Sequence, residues 1–275
     1  MAITAADVSK LRKMTGAGMM DCKKALQEAE GDFDKAVEVI RKKGMAVASK
    51  RADREASEGV VLSKVTDDAK KGALVVLNCE TDFVAKNDSF VALAQSILDL
   101  GLEKGVKTLD ELQELELDGV PVKDVITEQI GVIGEKLELA AFEVIEAEKV
   151  MAYIHPGNKL ATIVGFNKAD VEDQMAKDVA MQVAAMAPIA VDRDSVPQDI
   201  IDKELEIGKE MARNEGKPEE MLDRIAQGRL GKFFKESTLL EQAFVKDNKL
   251  SIKQYLQGAD KELTVTGFKR YSLNN

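Results

Sequence analysis

Few side chains in this 275-residue sequence have the types and spacings that catalysis requires. The one histidine, His155, precedes Pro156 and Gly157, a context in which it is most simply a turn residue. Cys22 and Cys79 stand far apart and neither belongs to a CxxC pair, so we predict no disulfide framework and no thiolate metal site. Both are interpreted as buried thiols. This inventory favours a protein that is not an enzyme and holds no metal of its own.

Phosphate-binding motifs are missing from the sequence as well. It has no glycine-rich loop that ends in Gly-Lys-Ser or Gly-Lys-Thr, and Gly16-Ala17-Gly18 lacks the third glycine and the preceding strand of a dinucleotide site. Because the chain has 49 Asp and Glu residues, no particular pair of carboxylates stands out as an acid and a base. We therefore predict no cofactor and no nucleotide bound by the chain itself.

One segment that could serve recognition surrounds Phe83, which lies in a polar context where a strand gives way to a helix. In a purely local interpretation, Thr81 or Asp82 caps the helix, Lys86 pairs with Asp82, and Phe83 packs beneath as a hydrophobic staple. The alternative is a phenylalanine displayed at a loop tip beside a carboxylate, where it could wedge into another protein. Spacing alone favours the local interpretation.

A second such segment is Met19-Met20, which follows a glycine loop. Both side chains cannot point into a small three-helix core. The simpler prediction is that Met19 packs inward and Met20 is incidental. The functional alternative is an adaptable apolar contact, a common role of surface methionines.

The composition, 45% hydrophobic and 32% charged, is typical of a soluble globular chain with room for cores. No apolar run approaches the roughly 20 residues of a membrane span, and the start of the chain resembles a capped helix more than an export signal. Residues 1–55 carry 12 Lys and Arg against 9 Asp and Glu, whereas the remainder carries 27 against 40. We expect a cytoplasmic protein with no membrane partner, whose acidic surface disfavours direct nucleic-acid binding.

The spacing of apolar residues predicts three short helices at the start of the chain. Thr4 is a suitable N-cap for the first, and a three-four spacing recurs over Met19–Leu26 and again over Phe33–Ile40. The charged segment Lys50–Glu58 then predicts a tether to the next domain.

A strand, a turn and a strand are predicted over residues 60–77, followed by a helix over residues 90–98. About 88 residues later a similar hairpin covers residues 150–166 and leads into a helix that runs to Met186. The register of this weak internal duplication sets Asp82 against Asp170 and Phe83 against Val171. The second copy is expected to keep the capping chemistry without the phenylalanine.

The rest of the chain is predicted from similar patterns. Helical spacing covers Val125–Ile133, and Leu137–Ile145 is predicted to be extended. Residues 199–243 indicate an antiparallel helical hairpin, with its turn near Gly216. Thr264–Tyr271 is expected to form a strand that returns to the second sheet.

Two segments of the sequence resemble a known family. TGAGMMDCKKAL at Thr15–Leu26 and NCETDFVAKN at Asn78–Asn87 resemble the signature segments of bacterial elongation factor Ts in sequence, order and separation. The resemblance extends from about residue 3 to residue 270, and includes the tether, both hairpin units and the helical hairpin.

The resemblance implies an α+β fold in four parts. Residues 1–55 would form a three-helix ubiquitin-associated-like (UBA-like) domain with its tether, and residues 56–147 the first of two related α+β core subdomains. The second subdomain would combine residues 148–197 with 244–275. Residues 198–243 would form an inserted antiparallel coiled-coil hairpin.

The resemblance also implies guanine-nucleotide exchange on elongation factor Tu during translation elongation. In that family, the segment that matches Thr81–Val84 dislocates the partner's magnesium ion and loosens GDP. Met19 and Met20 would contact the partner's nucleotide-binding domain, and Gln182 and Val183 another of its domains. Both the GDP-bound and the nucleotide-free partner would be bound, in a one-to-one or a two-to-two complex.

Two other functions stay open at this point. A UBA-like adaptor could bind peptides through Met19 and Met20 without exchange activity, which would leave residues 81–84 a purely structural role. The basic head of the chain could instead bind nucleic acid, with an affinity that falls steeply as the salt concentration rises.

Overall fold

A computed structural model describes residues 3–274 of the chain. Its first part consists of α1 (Ala5–Thr15), α2 (Met19–Glu28) and α3 (Phe33–Arg51), which confirms the three predicted helices. Thr4 begins α1 as predicted, since its side chain accepts the Asp7 N–H while the Asp7 carboxylate accepts the Thr4 N–H. The core of this helical head includes Val8, Leu11, Cys22, Leu26 and Ala36.

The connection after the head is shorter than its charge pattern suggests. Lys50 and Arg51 form part of the last turn of α3, and Glu58 is the first residue of the next strand, which leaves residues 52–57 as the link. Arg51 is joined to the first sheet, because it donates to Oε1 of Glu80, the residue that follows the strand Lys71–Cys79, at 2.7 Å. The predicted tether is therefore wrong at both of its ends.

The first sheet is antiparallel and has the strand order β1 (Glu58–Val65), β2 (Lys71–Cys79) and β5 (Leu137–Glu146). The predicted hairpin and the predicted extended segment are thus confirmed. Helix α5 (Asp88–Lys104) covers one face of this sheet, where the buried Phe90 packs against strand residues. The short helix α4 (Asp82–Ala85) lies between β2 and α5. Four elements connect α5 to β5: α6 (Leu109–Glu114), β3 (Glu116–Leu117), β4 (Val120–Pro121) and α7 (Val122–Ile133).

The second sheet is also antiparallel, with the strand order β10 (Val265–Ser272), β7 (Leu160–Phe166) and β6 (Lys149–Ile154). The prediction that the last strand returns to this sheet is confirmed. Helix α8 (Asp173–Met186) packs on it. The same side of the molecule holds β8 (Ala243–Phe244), β9 (Asp247–Ser251) and α11 (Ile252–Ala259).

Strand β2 is buried on both faces. Ala73, Val75 and Leu77 belong to the core beneath α5, whereas Leu74 and Val76 belong to a core shared with the second sheet. The two sheets therefore pack face to face, which explains why the strand reads as a continuous apolar run and not as an alternating one. The second sheet contributes Val150, Ala161 and Ile163 to the shared layer.

Helices α9 (Gln198–Asn214) and α10 (Glu219–Ser237) form the predicted helical hairpin. They are antiparallel, with Lys209 Nζ 3.0 Å from the Asp223 carboxylate. α10 ends before residue 243 because the chain turns so that Leu239 enters the core of the second sheet. A coiled-coil geometry for this hairpin and the four domain boundaries given above stay predictions.

The helical head packs directly against α7. Gly44 of α3 and Gly131 of α7 meet where the helices cross, and a Cβ added to Gly131 would lie 2.4 Å from the Gly44 Cα. Beside the crossing, Arg41 donates to the Asp124 carboxylate at 2.6 Å and lies 3.3 Å from that of Glu128. Two backbones can approach so closely only where no side chain intervenes. The head thus has a defined place on the core.

This crossing predicts a large effect of one methyl group. Gly131→Ala should destabilise the docked head by about 1–3 kcal/mol, because the new Cβ would overlap backbone that cannot move aside cheaply. Trypsin should then cleave the link at Arg54 faster than in the unmodified chain. Gly228→Ala in α10 is the control, since open space surrounds that position and a helical alanine is favoured by about 1 kcal/mol over glycine. Equal cleavage rates for Gly131→Ala and the unmodified chain would contradict the docking.

Candidate functional site

The segment Thr81–Val84 folds as a capped helical turn at the end of β2, as the local interpretation predicts, and not as a loop tip. Helix α4 starts here, with Thr81 as its N-cap: the Thr81 hydroxyl accepts the Val84 N–H at 3.5 Å. Lys86 donates to the Asp82 carboxylate at 2.6 Å, one turn away. The predicted cap and the predicted ion pair are therefore both present.

Phe83 points away from the protein. It is 82% exposed, the largest value among the exposed large hydrophobic side chains of the described residues. The staple is the one part of the local interpretation that is wrong: the ring does not pack beneath the turn, and Ala85 faces the core instead. The turn thus displays an aromatic ring beside the carboxylate of Asp82.

Beneath the displayed ring, the turn is held by a pair of carboxylates. Thr81 donates twice to Glu135, from its backbone N–H at 3.0 Å and from its hydroxyl at 2.6 Å. In return, the Glu80 carboxylate accepts the Lys136 N–H at 2.6 Å and also binds Arg51. The base of the turn is therefore fastened to the segment between α7 and β5 and to the end of α3.

The charges at this base favour its formation at neutral pH. The Lys136 N–H, helped by the Arg51 guanidinium, lowers the pKa of Glu80, and the Lys86 ammonium lowers the pKa of Asp82. Carboxylates whose pKa falls on folding stabilise the fold above their ordinary pKa, and this contribution is lost as the pH drops through the lowered value. The contribution of Glu80 and Asp82 is thus complete at neutral pH and is lost only in acid.

The two cysteines confirm the prediction of buried thiols. Cys79 lies directly under the turn and donates through its Sγ to the Thr81 carbonyl at 3.2 Å. Burial raises its pKa to about 12, so the sulfur stays protonated and unreactive. Cys22 is enclosed within the helical head. Residues 3–274 contain no group of three or more His, Cys, Asp or Glu placed to hold a metal ion.

Both methionines at the start of α2 face outward, with Met19 48% and Met20 63% exposed. The prediction that Met19 packs inward is wrong. Ala17 is itself buried and lies against Cys22, whose Sγ contacts the Ala17 carbonyl, so this end of the core is already closed. The head therefore presents two adjacent thioethers to solvent.

Gln182 and Val183 lie in α8, beneath the protein surface. Both are fully buried. Gln182 donates to the Ala243 carbonyl at 3.1 Å and accepts the Val245 N–H at 2.9 Å. Its amide thus fixes the backbone of the segment around β8. The prediction that these two side chains contact a partner disagrees with this arrangement, whereas Val245 above them is exposed.

The second copy of the hairpin unit does not repeat the turn. Val171 is buried where Phe83 is exposed, and the helix that follows begins only at Asp173. Its N-cap is Glu172, which makes no side-chain capping bond. The prediction that Asp170 and Val171 keep the capping chemistry is therefore wrong.

Glu135 contacts the candidate site and could not be predicted from the sequence. Its side chain meets Thr81 across 54 positions of chain, a separation for which neither periodicity nor a motif gives a signal. The only local hint is its place after Gly134, which ends α7 in a left-handed conformation with φ of 81°. Because a carboxylate just past a helix end is common, the sequence does not predict the pairing of Glu135 with Thr81, and only the three-dimensional structure reveals it.

No helix among the described residues combines the length and the apolar character that crossing a bilayer requires. This observation agrees with the absence of long apolar runs in the sequence.

Comparison with known proteins identifies relatives over the whole chain. The family model described as Elongation factor TS matches residues 80–275. A curated protein named Elongation factor Ts from Porphyromonas gingivalis is 58% identical over 275 residues, which cover 100% of this chain and 99% of the relative. Proteins of the same name from Christiangramia forsetii and Bacteroides thetaiotaomicron are 53% and 44% identical, and each alignment covers at least 98% of both chains.

The burial of Gln182 leads to a stability prediction. Gln182→Leu should lower the free energy of unfolding by about 1–3 kcal/mol, because it leaves the Ala243 carbonyl and the Val245 N–H without partners. Urea unfolding measures this difference. Gln227→Leu on the exposed face of α10 is the matched control and should change little. A Gln182→Leu chain as stable as the unmodified one would show that the amide has no structural role.

Proposed function

The chain belongs to the elongation factor Ts family of translation elongation factors, and from this premise we propose that it is a guanine-nucleotide exchange factor for elongation factor Tu. It would act in the cytoplasm, where translation takes place, and would release GDP by displacing groups around the partner's magnesium ion. No covalent step is involved, so the activity is not enzymatic in the usual sense.

The exposure of Phe83 is the observation that carries this proposal. Burying a phenylalanine contributes about 1.5–3 kcal/mol, so an isolated chain gains nothing by displaying one on an anchored turn. In a complex, the ring can enter the packing of the partner while Asp82 follows beside it. Because Thr81 and Glu80 fasten the turn from below, the ring meets the partner in a defined position.

A small displacement is sufficient to release the metal. Magnesium requires nearly ideal octahedral geometry at about 2.0–2.1 Å, so a shift of roughly one ångström in the surrounding backbone disrupts its coordination. GDP then loses the cation that holds its phosphates. The carboxylate of Asp82 adds a negative charge to this neighbourhood, and its hydrogen bond with Lys86 lowers its pKa further below neutrality.

Exchange follows from linkage. The chain must bind nucleotide-free elongation factor Tu more tightly than the GDP-bound form. By reciprocity, the chain lowers the partner's affinity for GDP by the same factor by which GDP lowers the partner's affinity for the chain. Each 1.4 kcal/mol of this coupling corresponds to about tenfold in affinity. Nothing beyond differential binding is required of the chain.

Two further surfaces support a contact that extends beyond the turn. Met19 and Met20 form an adaptable apolar patch on the head, suited to the partner's nucleotide-binding domain. In the second subdomain, Gln182 and Val183 would act from beneath, by holding the segment that exposes Val245 toward another domain of the partner.

The rival proposal is a UBA-like adaptor that binds peptides through Met19 and Met20. It gives no role to an anchored and exposed Phe83, since such an adaptor would use only the head. The two proposals differ in whether binding depends on the nucleotide state of the partner.

Phe83→Ala should leave folding intact, because the exposed ring has few contacts in the free chain. It should slow the stimulated release of fluorescent GDP from elongation factor Tu by about tenfold or more, as expected for an interface anchor. Met221→Ala removes another exposed apolar side chain, on the helical hairpin, and is the control expected to exchange normally. Normal exchange by Phe83→Ala would contradict the proposal that Phe83 inserts into the partner, and so would a failure of this variant to fold.

A further inference from the structure

We propose that Glu135 is a positioning residue for exchange: its carboxylate sets the orientation of the turn that carries Phe83. This inference rests on the proposed exchange function. It concerns a residue that lies beneath the recognition surface and that acts through its neighbour Thr81.

The geometry shows why a carboxylate is needed at this point. The ladder between β2 and β5 ends at the pair Cys79 and Leu137, and the residues beyond it form no further ladder pairs. Side chains then replace the backbone carbonyls as acceptors: Glu135 accepts the Thr81 N–H, and Glu80 accepts the Lys136 N–H. The two carboxylates thus form a reciprocal clamp that prolongs the pairing past the last ladder position.

Glu135 fixes more than the position of the backbone. One of its oxygens accepts the Thr81 N–H at 3.0 Å and the other accepts the Thr81 hydroxyl at 2.6 Å. Because that hydroxyl proton is directed to Glu135, a lone pair of the same oxygen faces the Val84 N–H as the helix cap. The chain of contacts runs from Glu135 through Thr81 to the turn on which Phe83 stands.

The same junction also holds the helical head. Lys136 donates through its Nζ to the carbonyls of Ala52 and Arg54 in the link, at 3.1 and 3.0 Å. Arg51 at the end of α3 shares the Glu80 carboxylate with the Lys136 N–H. The clamp therefore gives a common reference point to the head that carries the methionines and to the turn that carries the phenylalanine.

Loss of Glu135 should misplace the turn without unfolding the protein. The ladder through Cys79 and Leu137 remains, and so does the burial of both faces of β2. Only Thr81 loses an acceptor, and its N–H and hydroxyl lie near enough to the surface to bind water. The expected defect is therefore in partner binding and GDP release, with little change in the unfolding transition.

The test is a double-mutant cycle on stimulated release of fluorescent GDP from elongation factor Tu, with urea unfolding measured for each variant. Glu135→Ala should slow release by about tenfold, as expected for a lost pair of charge-assisted hydrogen bonds. Glu135→Gln should retain more activity, because its amide can still accept the N–H and donate to the hydroxyl. In a Phe83→Ala background, Glu135→Ala should cause no further loss. Glu114→Ala, which removes an exposed ion pair with Lys123, is the control and should exchange normally.

The possible outcomes separate this inference from the proposed function. Normal exchange by Glu135→Ala, with a defect in Phe83→Ala, would overturn the inference and leave the function standing. Losses that add in the double variant would also overturn it, since Glu135 would then act independently of the ring. Normal exchange by Phe83→Ala would instead overturn the proposed function.

Thr81→Val keeps the experiment decisive if Glu135→Ala fails to fold. It removes the hydroxyl, and with it both the bond to Glu135 and the cap on the Val84 N–H, but leaves the Glu135 carboxylate with the backbone N–H of residue 81. A smaller loss of exchange that disappears in the Phe83→Ala background would support the inference. Full exchange by this variant would overturn it.

Discussion

The structure depends on the burial of β2 on both of its faces. One face packs beneath α5 and the other against the second sheet, so a slip of one residue would exchange two apolar sets that fit different layers. The register of this strand is consequently fixed, with Cys79 opposite Leu137 at its end. Everything that follows the strand, including the turn with Phe83, takes its position from this constraint.

The exposed ring and its buried support belong to one arrangement. Phe83 offers apolar area that the free chain leaves in water, and such an anchor is effective only if it does not have to be ordered on binding. The carboxylates of Glu80 and Glu135 supply that order where the ladder between the strands has ended. The close crossing of α3 and α7 extends the same support to the helical head, since α7 leads directly into the clamp.

Local patterns in the sequence were sufficient for much of this fold. The Thr4 cap, the two hairpins, the returning last strand and the ion pair between Asp82 and Lys86 each depend on residues close in the chain or on simple periodicity. The outward direction of Phe83 could not be predicted in this way, because a cap and a staple share the same spacing. Contacts between distant segments, such as Thr81 with Glu135 or Gly44 with Gly131, leave no periodic trace. The resemblance led to the proposed function, whereas the fold identified the residues that support the turn.

The most direct test of this account is the affinity of the chain for elongation factor Tu, measured with the partner free of nucleotide and again with saturating GDP. A protein that releases GDP by differential binding must lose affinity when GDP is present, and we expect a loss of about 100-fold or more. Equal affinities in the two states would contradict the account, because a ligand that does not distinguish two states cannot shift the balance between them.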